Sequence, residues 1–537
     1  MMTGGSARGV RQWIELALAL LLLDASLTFQ NIWPTPAIRW NGGVSVELAV
    51  CLLMLAIAMK WRPLSRRAVG WLAAAWAVLV VGRYAAVTAP ALYGREINLY
   101  WDVRYLPAVT AMLTRVASLW LIALVLAVLI SIPAIVFAAA RWSLGRVNDA
   151  MYSPIVRRTL ILAAGAVILL FAARPADERL RSWLPSPVSA TYARQVRLLT
   201  TGLTGYGRRA LPAGPAMDSD LTRVAGADVL LIFIESYGAV SYDRPEFTTG
   251  LATARQRLAA DIHATGREVV SAYVESPTFG GGSWFAHISL LSGIEVRDED
   301  TDALLMAQKR DTLVSAFAHG GYRTVAIMPG LQQSWPEGVF YGFNEIYGEV
   351  QLDYRGPPFG WWTIPDQFTI ARMDALEVSR RSRPPLFVFF PTTSTHTPFS
   401  PVAPYQPDWP RVLTDHPYDE HDVERAWNEV PDWTDFGPSY VRAVSYFYQS
   451  IGGYLRMRAD RDFVIILIGD HQPPAAVSGE GASWEVPVHV IASRGEVLGR
   501  LRSRGFLSGL TPQHPALARM HHLVPILLEA FGGRQKG

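Results

Sequence analysis

Cysteine is almost absent from this 537-residue chain: the one thiol, Cys51, lies inside an apolar run. That excludes a disulfide framework, a thiolate metal site and a cysteine nucleophile. It does not exclude the periplasm, where disulfides are permitted rather than required. Charge is sparse as well. Asp, Glu, Lys and Arg make up 18% of the chain, and 49 basic against 46 acidic residues leave a net charge of +3. A balance so near neutral gives no footprint for nucleic acid. Internal repeats and low-complexity tracts are missing, and no cleavage site follows the first apolar run, which leads into further hydrophobic segments. What is plentiful is hydrophobic residues, half of the chain. Their excess lies almost wholly before residue 175, and the length calls for at least two domains.

Five apolar runs read as membrane-spanning helices: Trp13–Trp33, Val44–Trp61, Ala68–Val87, Met112–Ala140 and Thr159–Ala173. The last is short against the ~20 residues that a span needs. Ten basic residues (Arg8, Arg11, Lys60, Arg62, Arg66, Arg67, Arg141, Arg146, Arg157, Arg158) fall on one side of this arrangement. Five (Arg39, Arg83, Arg95, Arg104, Arg115) fall on the other. The bias puts the N-terminus inside and, after five crossings, the long C-terminal part outside. One outer loop, "YGREINLYWDVRYLP" (Tyr93–Pro107), mixes charges with Tyr100, Trp101 and Tyr105. It reads as an aromatic belt at the membrane interface. The sharper alternative is an interfacial helix that guides a lipid head group.

Beyond residue 175 the sequence turns polar, with one amphipathic stretch at Tyr192–Leu203, and then changes rhythm. "ADVLLIFIESYG", "PLFVFFPTTSTH" and "DFVIILIGDHQ" are short apolar runs ending in polar residues. "YRTVAIMPG" follows a helix expected over Asp311–His319. Runs of this kind, separated by helical stretches, are the buried strands of an α/β sheet. Ligands of such sheets gather beyond the carboxyl ends of the strands. Ser400 to about Pro438 reads as a surface insertion, and a helix over about Pro515–Phe531 closes the chain.

Three strand ends carry the chemistry: Glu235 in "IESYG", His396 in "THTPF", and Asp470 with His471 in "GDHQ". A fourth element, "PTFGGGSWFAHISLLSG" (Pro277–Gly293), sets three glycines before Ser283 and then starts a helix. Hard oxygens with one imidazole suit Mn²⁺, Mg²⁺ or Zn²⁺. Beside such a cation a serine hydroxyl can ionise near neutral pH and act as a nucleophile. The glycines let the backbone run tightly into a helix N-terminus that favours an anion such as a phosphate ester. Each part alone reads blandly, as a cap, a loop carboxylate or a turn. His287, one helical turn after Ser283, reads as a packing or helix-surface residue. His489 in "VPVHV" reads as structural, and His263, His319 and the pair His521–His522 suggest no site.

The order strand–Glu, glycine loop–Ser–helix, strand–His, strand–Asp-His resembles the sulfatase-like branch of the alkaline phosphatase superfamily. Within it the chain looks most like the membrane phosphoglycerol transferases of the lipoteichoic acid synthase and osmoregulated periplasmic glucan type. The resemblance implies a five-helix transmembrane domain (residues 1–175), a connector (176–226) and a sulfatase-like domain around a central, mostly parallel sheet (227–510). The C-terminal helix (511–537) would close that domain. It implies one metal ion, Mn²⁺ above Mg²⁺ or Zn²⁺, held by Glu235, Ser283, Asp470 and His471, with Ser283 as nucleophile. It also implies substrate contacts from Gly282, from His396 with Pro398 and Phe399, and from Trp335 in "QSWPEGVFYGF". Two departures stand out. Glu337 occupies the place where the family turn offers an arginine, so Arg323 or another cation would have to serve the head group. The sulfatase signature after the nucleophile is missing, because Ser283 is followed by "WFAH"; sulfate ester hydrolysis is thereby disfavoured.

The activity implied is transfer of a phosphoglycerol-type head group from a phospholipid, phosphatidylglycerol by the resemblance, to a glycan or lipid acceptor through a phosphoserine. The site would stand on the periplasmic side of a bacterial inner membrane. The alternatives are a phosphoethanolamine transferase, whose relatives usually carry several disulfides in this domain, a hydrolase of the same fold, and a non-catalytic membrane protein.

Overall fold

A computed structural model describes the chain except residues 1–3, 34, 61–63, 94–95, 104–105, 107–109, 111–118, 174–182, 205–209, 333–334, 430, 433 and 534–537. It divides into two compact units that meet in sequence near residue 208.

The first unit is helical: α1 (Gly4–Thr28), α2 (Val46–Ala58), α3 (Arg66–Tyr93), α4 (Leu119–Ala150), α5 (Pro154–Ala173) and α6 (Val188–Thr204). α1 packs on α4, and α2 on α5. Among the described residues three helices are long and apolar enough to cross a membrane: Arg66–Leu92, Ile122–Ala150 and Pro154–Ala173. The expected five are therefore not all met. α2 has only 13 residues, and α1 carries Arg8, Arg11, Glu15 and Asp24 along its length. The run ending at Ala173, short in the sequence, gains a turn from Pro154 and reaches 20 residues. The start of the Met112–Ala140 run lies outside the described residues, as do parts of the Tyr93–Pro107 loop; within that loop Leu99–Asp102 makes one helical turn. The amphipathic stretch of the connector is α6.

The second unit is built on a nine-stranded sheet. In chain order its strands are β1 (Asp228–Ile234), β2 (Glu268–Glu275), β3 (Arg323–Ile327), β4 (Glu345–Tyr347), β5 (Leu386–Pro391), β6 (Phe463–Gly469), β7 (Glu485–Ala492), β8 (Leu507–Ser508) and β9 (Ala518–Arg519). The spatial order is β8-β2-β7-β6-β1-β5-β3-β4, with β9 also on β2. Strands β6, β1, β5, β3 and β4 are parallel neighbours. β7 runs antiparallel to both β6 and β2, so the sheet is mixed, with a parallel centre. β2 consequently points the same way as the parallel set, and its carboxyl end reaches the same edge.

All seven residues of β1 are buried. Val229, Leu231 and Phe233 face one core, shared with α8 (Ser283–Ser292), α9 (Leu313–His319) and the C-terminal helix. Leu230, Ile232 and Ile234 face another, shared with α7 (Pro245–Ala264) and α11 (Gly437–Met457). A strand covered on both faces has no polar alternation to preserve, which is why its sequence is a continuous apolar run. Thr312 caps α9, its hydroxyl accepting from Ser315 N. The insertion after residue 400 holds α10 (Glu420–Asn428). The closing helix is α12 (Leu523–Phe531), shorter than expected, because Ala518–Arg519 pair with β2 before the helix can begin.

Candidate active site

The in-register pairing of β1 with β6 sets Ile234 opposite Gly469. The next residue on each strand is a carboxylate, so Glu235 and Asp470 leave the sheet side by side. Asp470 N donates to Ile234 O at 3.3 Å. On the other flank Phe233 pairs with Pro391, and Thr392 Oγ1 accepts from Glu235 N at 3.0 Å. β2 ends at the same edge and hands the chain to the glycine loop. Gly280, Gly281 and Gly282 take φ of 67°, 149° and 75°, a path that side chains resist. It brings Ser283 in as the first residue of α8.

Ser283 Oγ donates to Glu235 Oε2 at 2.8 Å and lies 3.2 Å from His471 Nε2. His471 Nε2 is 3.4 Å from Glu235 Oε1 and 3.8 Å from Asp470 Oδ2. One ligand atom from each of Glu235, Asp470 and His471 falls within 4.8 Å of the others. His471 Nδ1 donates to Gln472 O at 2.7 Å, which leaves Nε2 as the lone-pair nitrogen facing the cluster. Asp470 and His471 are each 1% exposed. Burial alone would raise the Glu235 carboxyl, but the facing imidazoles of His471 and His396 and the bonds to Asp470 and Ser283 hold it at about 2. Burial and the Glu235 charge push Asp470 well up, and burial pushes His471 down. Two carboxylates, an imidazole and a hydroxyl thus converge, with one carboxyl strained by its neighbour's charge. That donor set fits a hard divalent cation, which relieves the repulsion.

Several residues that build this cluster carry no signal in the sequence. Ser236 N donates to Asp470 Oδ1 at 2.8 Å and its Oγ to Glu235 Oε1 at 3.0 Å, from a left-handed φ of 55°. Ser276 Oγ donates to Asp470 O at 2.5 Å. Thr393 N and Ser394 N donate to the buried Asp366, at 2.8 and 3.2 Å, and so hold the turn that presents His396. Burial pushes Asp366 up to about 6 despite those bonds. Only a folded chain brings such partners together.

The remaining expected residues are placed as follows. His396 Nδ1 donates to Thr397 O at 2.6 Å, and its ring stacks on Trp361 (centroids 5.8 Å apart, 20° between planes) with Trp362 edge-on at 5.9 Å. Neither tryptophan was expected. Trp335 lies in the β3–β4 loop, its ring 5.4 Å from Tyr341, and among the described contacts none joins it to the four-residue cluster. The Glu337 side chain lies outside the described residues. Arg323 opens β3 at the amino edge and donates to Glu377 through Nε and Nη2, both at 2.9 Å. As the substitute head-group cation it is corrected: it is committed to a carboxylate at the wrong end of the strand. His287 packs its ring against Phe233 (4.6 Å) and Phe389 (5.4 Å), and burial pushes it to about 3. His489 is fully structural, bonded to Ser271 Oγ at 2.7 Å and facing Tyr237 and Tyr242.

No protein-family model matches the chain, and no curated protein does. Among solved structures the chain is similar to an integral membrane lipooligosaccharide phosphoethanolamine transferase from Neisseria meningitidis, at 14% identity over 96% of this chain and 95% of that one, TM-score 0.47. It is also similar to a Streptococcus pyogenes phosphoglycerol transferase solved with sn-glycerol-1-phosphate (12% identity, 64% and 81% covered, TM-score 0.36). A lipoteichoic acid synthase from Listeria monocytogenes shows 12% identity over 60% and 78%, TM-score 0.37.

Proposed function

We propose that this chain is a metal-dependent phosphotransferase. It moves a phosphoglycerol-type head group from a membrane phospholipid to an extracytoplasmic glycan or lipid acceptor, through a phosphoserine at Ser283. The observation that carries the proposal is the position of Ser283 Oγ, 2.8 Å from Glu235 and 3.2 Å from His471, at the start of a helix entered through three left-handed glycines. Glu235, Asp470, His471 and Ser283 would hold one divalent cation, Mn²⁺ on the family resemblance. The chemistry such a cation would supply is a lowered pKa for the serine hydroxyl and withdrawal of charge from phosphoryl oxygens.

The protein's own part follows from its geometry. Glu235, which accepts from Ser283 Oγ and would hold the cation, serves as ligand and orienter while the Ser283 proton passes to solvent. Ser283 Oγ attacks phosphorus, a P–Oγ bond forms, and the bond from phosphorus to diacylglycerol breaks, its oxygen taking a proton from solvent. The N-terminal turn of α8 faces the developing anion. The acceptor hydroxyl then attacks phosphorus in turn: an acceptor O–P bond forms, the P–Oγ bond breaks, the acceptor's proton passes to solvent and Ser283 Oγ takes one back. His396, held by Thr397 O and Trp361, would support the phosphoryl oxygens. The lone Cys51 favours glycerol over ethanolamine as the head group. The positive-inside bias and an odd number of spans favour an extracytoplasmic site.

The test is intact mass spectrometry of the full chain in detergent, incubated with phosphatidylglycerol and Mn²⁺ beside Ser283→Ala. A phosphoglycerol adduct on the wild type alone is the expected result, abolished by EDTA. An adduct from phosphatidylethanolamine only would move the assignment to that head group. The absence of both adducts and of bound metal would overturn it.

A further inference from the structure

Scattered apolar residues on a surface need no explanation, but a group of them at one edge does. Among the described residues of the second unit six large apolar side chains are exposed: Trp284 (38%), Val339 (84%), Val350 (79%), Trp361 (38%), Trp427 (49%) and Leu507 (39%). The chain path sets the first five in segments that follow the carboxyl ends of strands. Trp284 adjoins Ser283 beyond β2. Val339 lies in the loop that leaves β3, and Val350 in the turn that follows β4. Trp361 stacks on His396 beyond β5. Trp427 reaches back from α10, its Nε1 donating to Pro358 O at 3.1 Å and its ring 6.4 Å from Phe359. Five of these six side chains therefore lie on segments that follow the carboxyl ends of strands, the edge that carries the candidate active site.

From this arrangement we infer that the mouth of the site seats on the head-group layer of a phospholipid bilayer through Trp284, Val339, Val350, Trp361 and Trp427. Three of the five are tryptophans, the ring type that settles at the membrane–water boundary because one edge is apolar and the other donates a hydrogen bond. The two valines stand out almost fully and offer a hydroxyl-rich glycan no hydrogen bond. The same chain carries three helices apolar enough to cross a membrane, so a bilayer is the partner always at hand. Seating would also answer a problem of reach: the phosphodiester of a bilayer lipid lies at head-group level while its acyl chains stay buried. The consequence for turnover rests on the phosphotransferase proposed above; the seating itself does not.

The experiment uses the full chain with Cys51→Ser, carrying a single cysteine in place of Val339, Val350 or, as reference, the exposed Asp460 at the amino edge. Each is spin-labelled in vesicles of phosphatidylglycerol and phosphatidylcholine, and collision rates with oxygen and a water-soluble nickel chelate are measured. Oxygen partitions into the bilayer, so the oxygen-to-nickel ratio at 339 and 350 should exceed that at 460 by roughly fivefold or more, as for interfacial side chains. Equal ratios at all three sites would overturn the inference, as would a rise at 339 and 350 produced only by an added glycan or protein. A second readout uses V339D/V350D: the ratio of vesicle-lipid turnover to turnover of a short-chain soluble donor should fall about tenfold. An unchanged ratio counts against the inference. Labels immersed in a protein that turns over neither donor would refute the phosphotransferase and leave the seating standing.

Discussion

Gly282, directly before Ser283, is a position where an added side chain would bear on the candidate site. Its φ of 75° and ψ of 38° are left-handed, and an added Cβ would lie 3.2 Å from Thr278 Oγ1 and 3.3 Å from Phe285. The conformation costs a non-glycine residue about 1–2 kcal/mol. Gly282→Ala should keep the fold and lower the proposed turnover by about tenfold to a hundredfold, because a shift of the order of 1 Å at the proposed nucleophile is enough. The check is steady-state kinetics beside an unchanged far-ultraviolet circular dichroism spectrum; full activity would show that the loop tolerates relaxation. Ser236 adopts a left-handed backbone without being glycine, kept in place because its N–H and hydroxyl tie Asp470 to Glu235. Nothing in "IESYG" separates that serine from an ordinary turn residue, since its role exists only once β1 and β6 are paired.

At the scale of the element, the parallel centre of the sheet depends on an ion pair at its amino edge. Asp228, the first residue of β1, accepts from Arg383 Nη1 and Nη2, each at 2.6 Å, and from Leu386 N at 2.9 Å. The two side chains are only 7% and 10% exposed. Asp228→Ala would leave a guanidinium and an amide buried without their acceptor, a loss of about 3–5 kcal/mol. Chemical denaturation followed by the fluorescence of the second unit should show the midpoint fall accordingly. A shift worth less than 1 kcal/mol, on the order of an exposed pair, would mean that water replaces the carboxylate. The strands themselves were legible because burial on both faces writes itself as an apolar run. β2, whose "EVVSAYVE" mixes polar with apolar residues, was not, and neither was the reversal at β7. Strand direction depends on which edge a connection returns to, and local composition does not encode that.

Across the whole second unit, His514 joins parts of the chain far apart in sequence. Its Nε2 lies 2.7 Å from Asp243 Oδ1, its Nδ1 bonds Glu485, and its ring stacks on Tyr273 at 4.5 Å. Partial burial would lower its pKa, but the bonds to the two carboxylates outweigh it and raise the group above its ordinary value. A raised pKa means that the clasp contributes stability in full below about 6.5, the unfolded value, and that this is lost as pH rises through the folded value. Thermal unfolding of the wild type should therefore weaken between neutral and mildly alkaline pH, relative to His514→Phe, whose midpoint lacks that slope. Parallel profiles for the two proteins would refute the clasp.

The sequence by itself pointed to apolar helices, of which three among the described residues are long enough to cross a membrane, to the α/β sheet, and to the candidate group Glu235, Ser283, Asp470 and His471, which the fold brings together. Hydrophobic runs and strand-end polar residues are local patterns, and burial and backbone geometry act on them locally. Only the tertiary structure decided which residues surround those four. Ser236 and Thr392 are drawn to them by strand register, Asp366, Trp361 and Trp362 are brought to the turn that carries His396, and Arg323 is sent to the opposite edge. Those choices are contacts between segments tens to hundreds of residues apart, and the three-dimensional fold creates them.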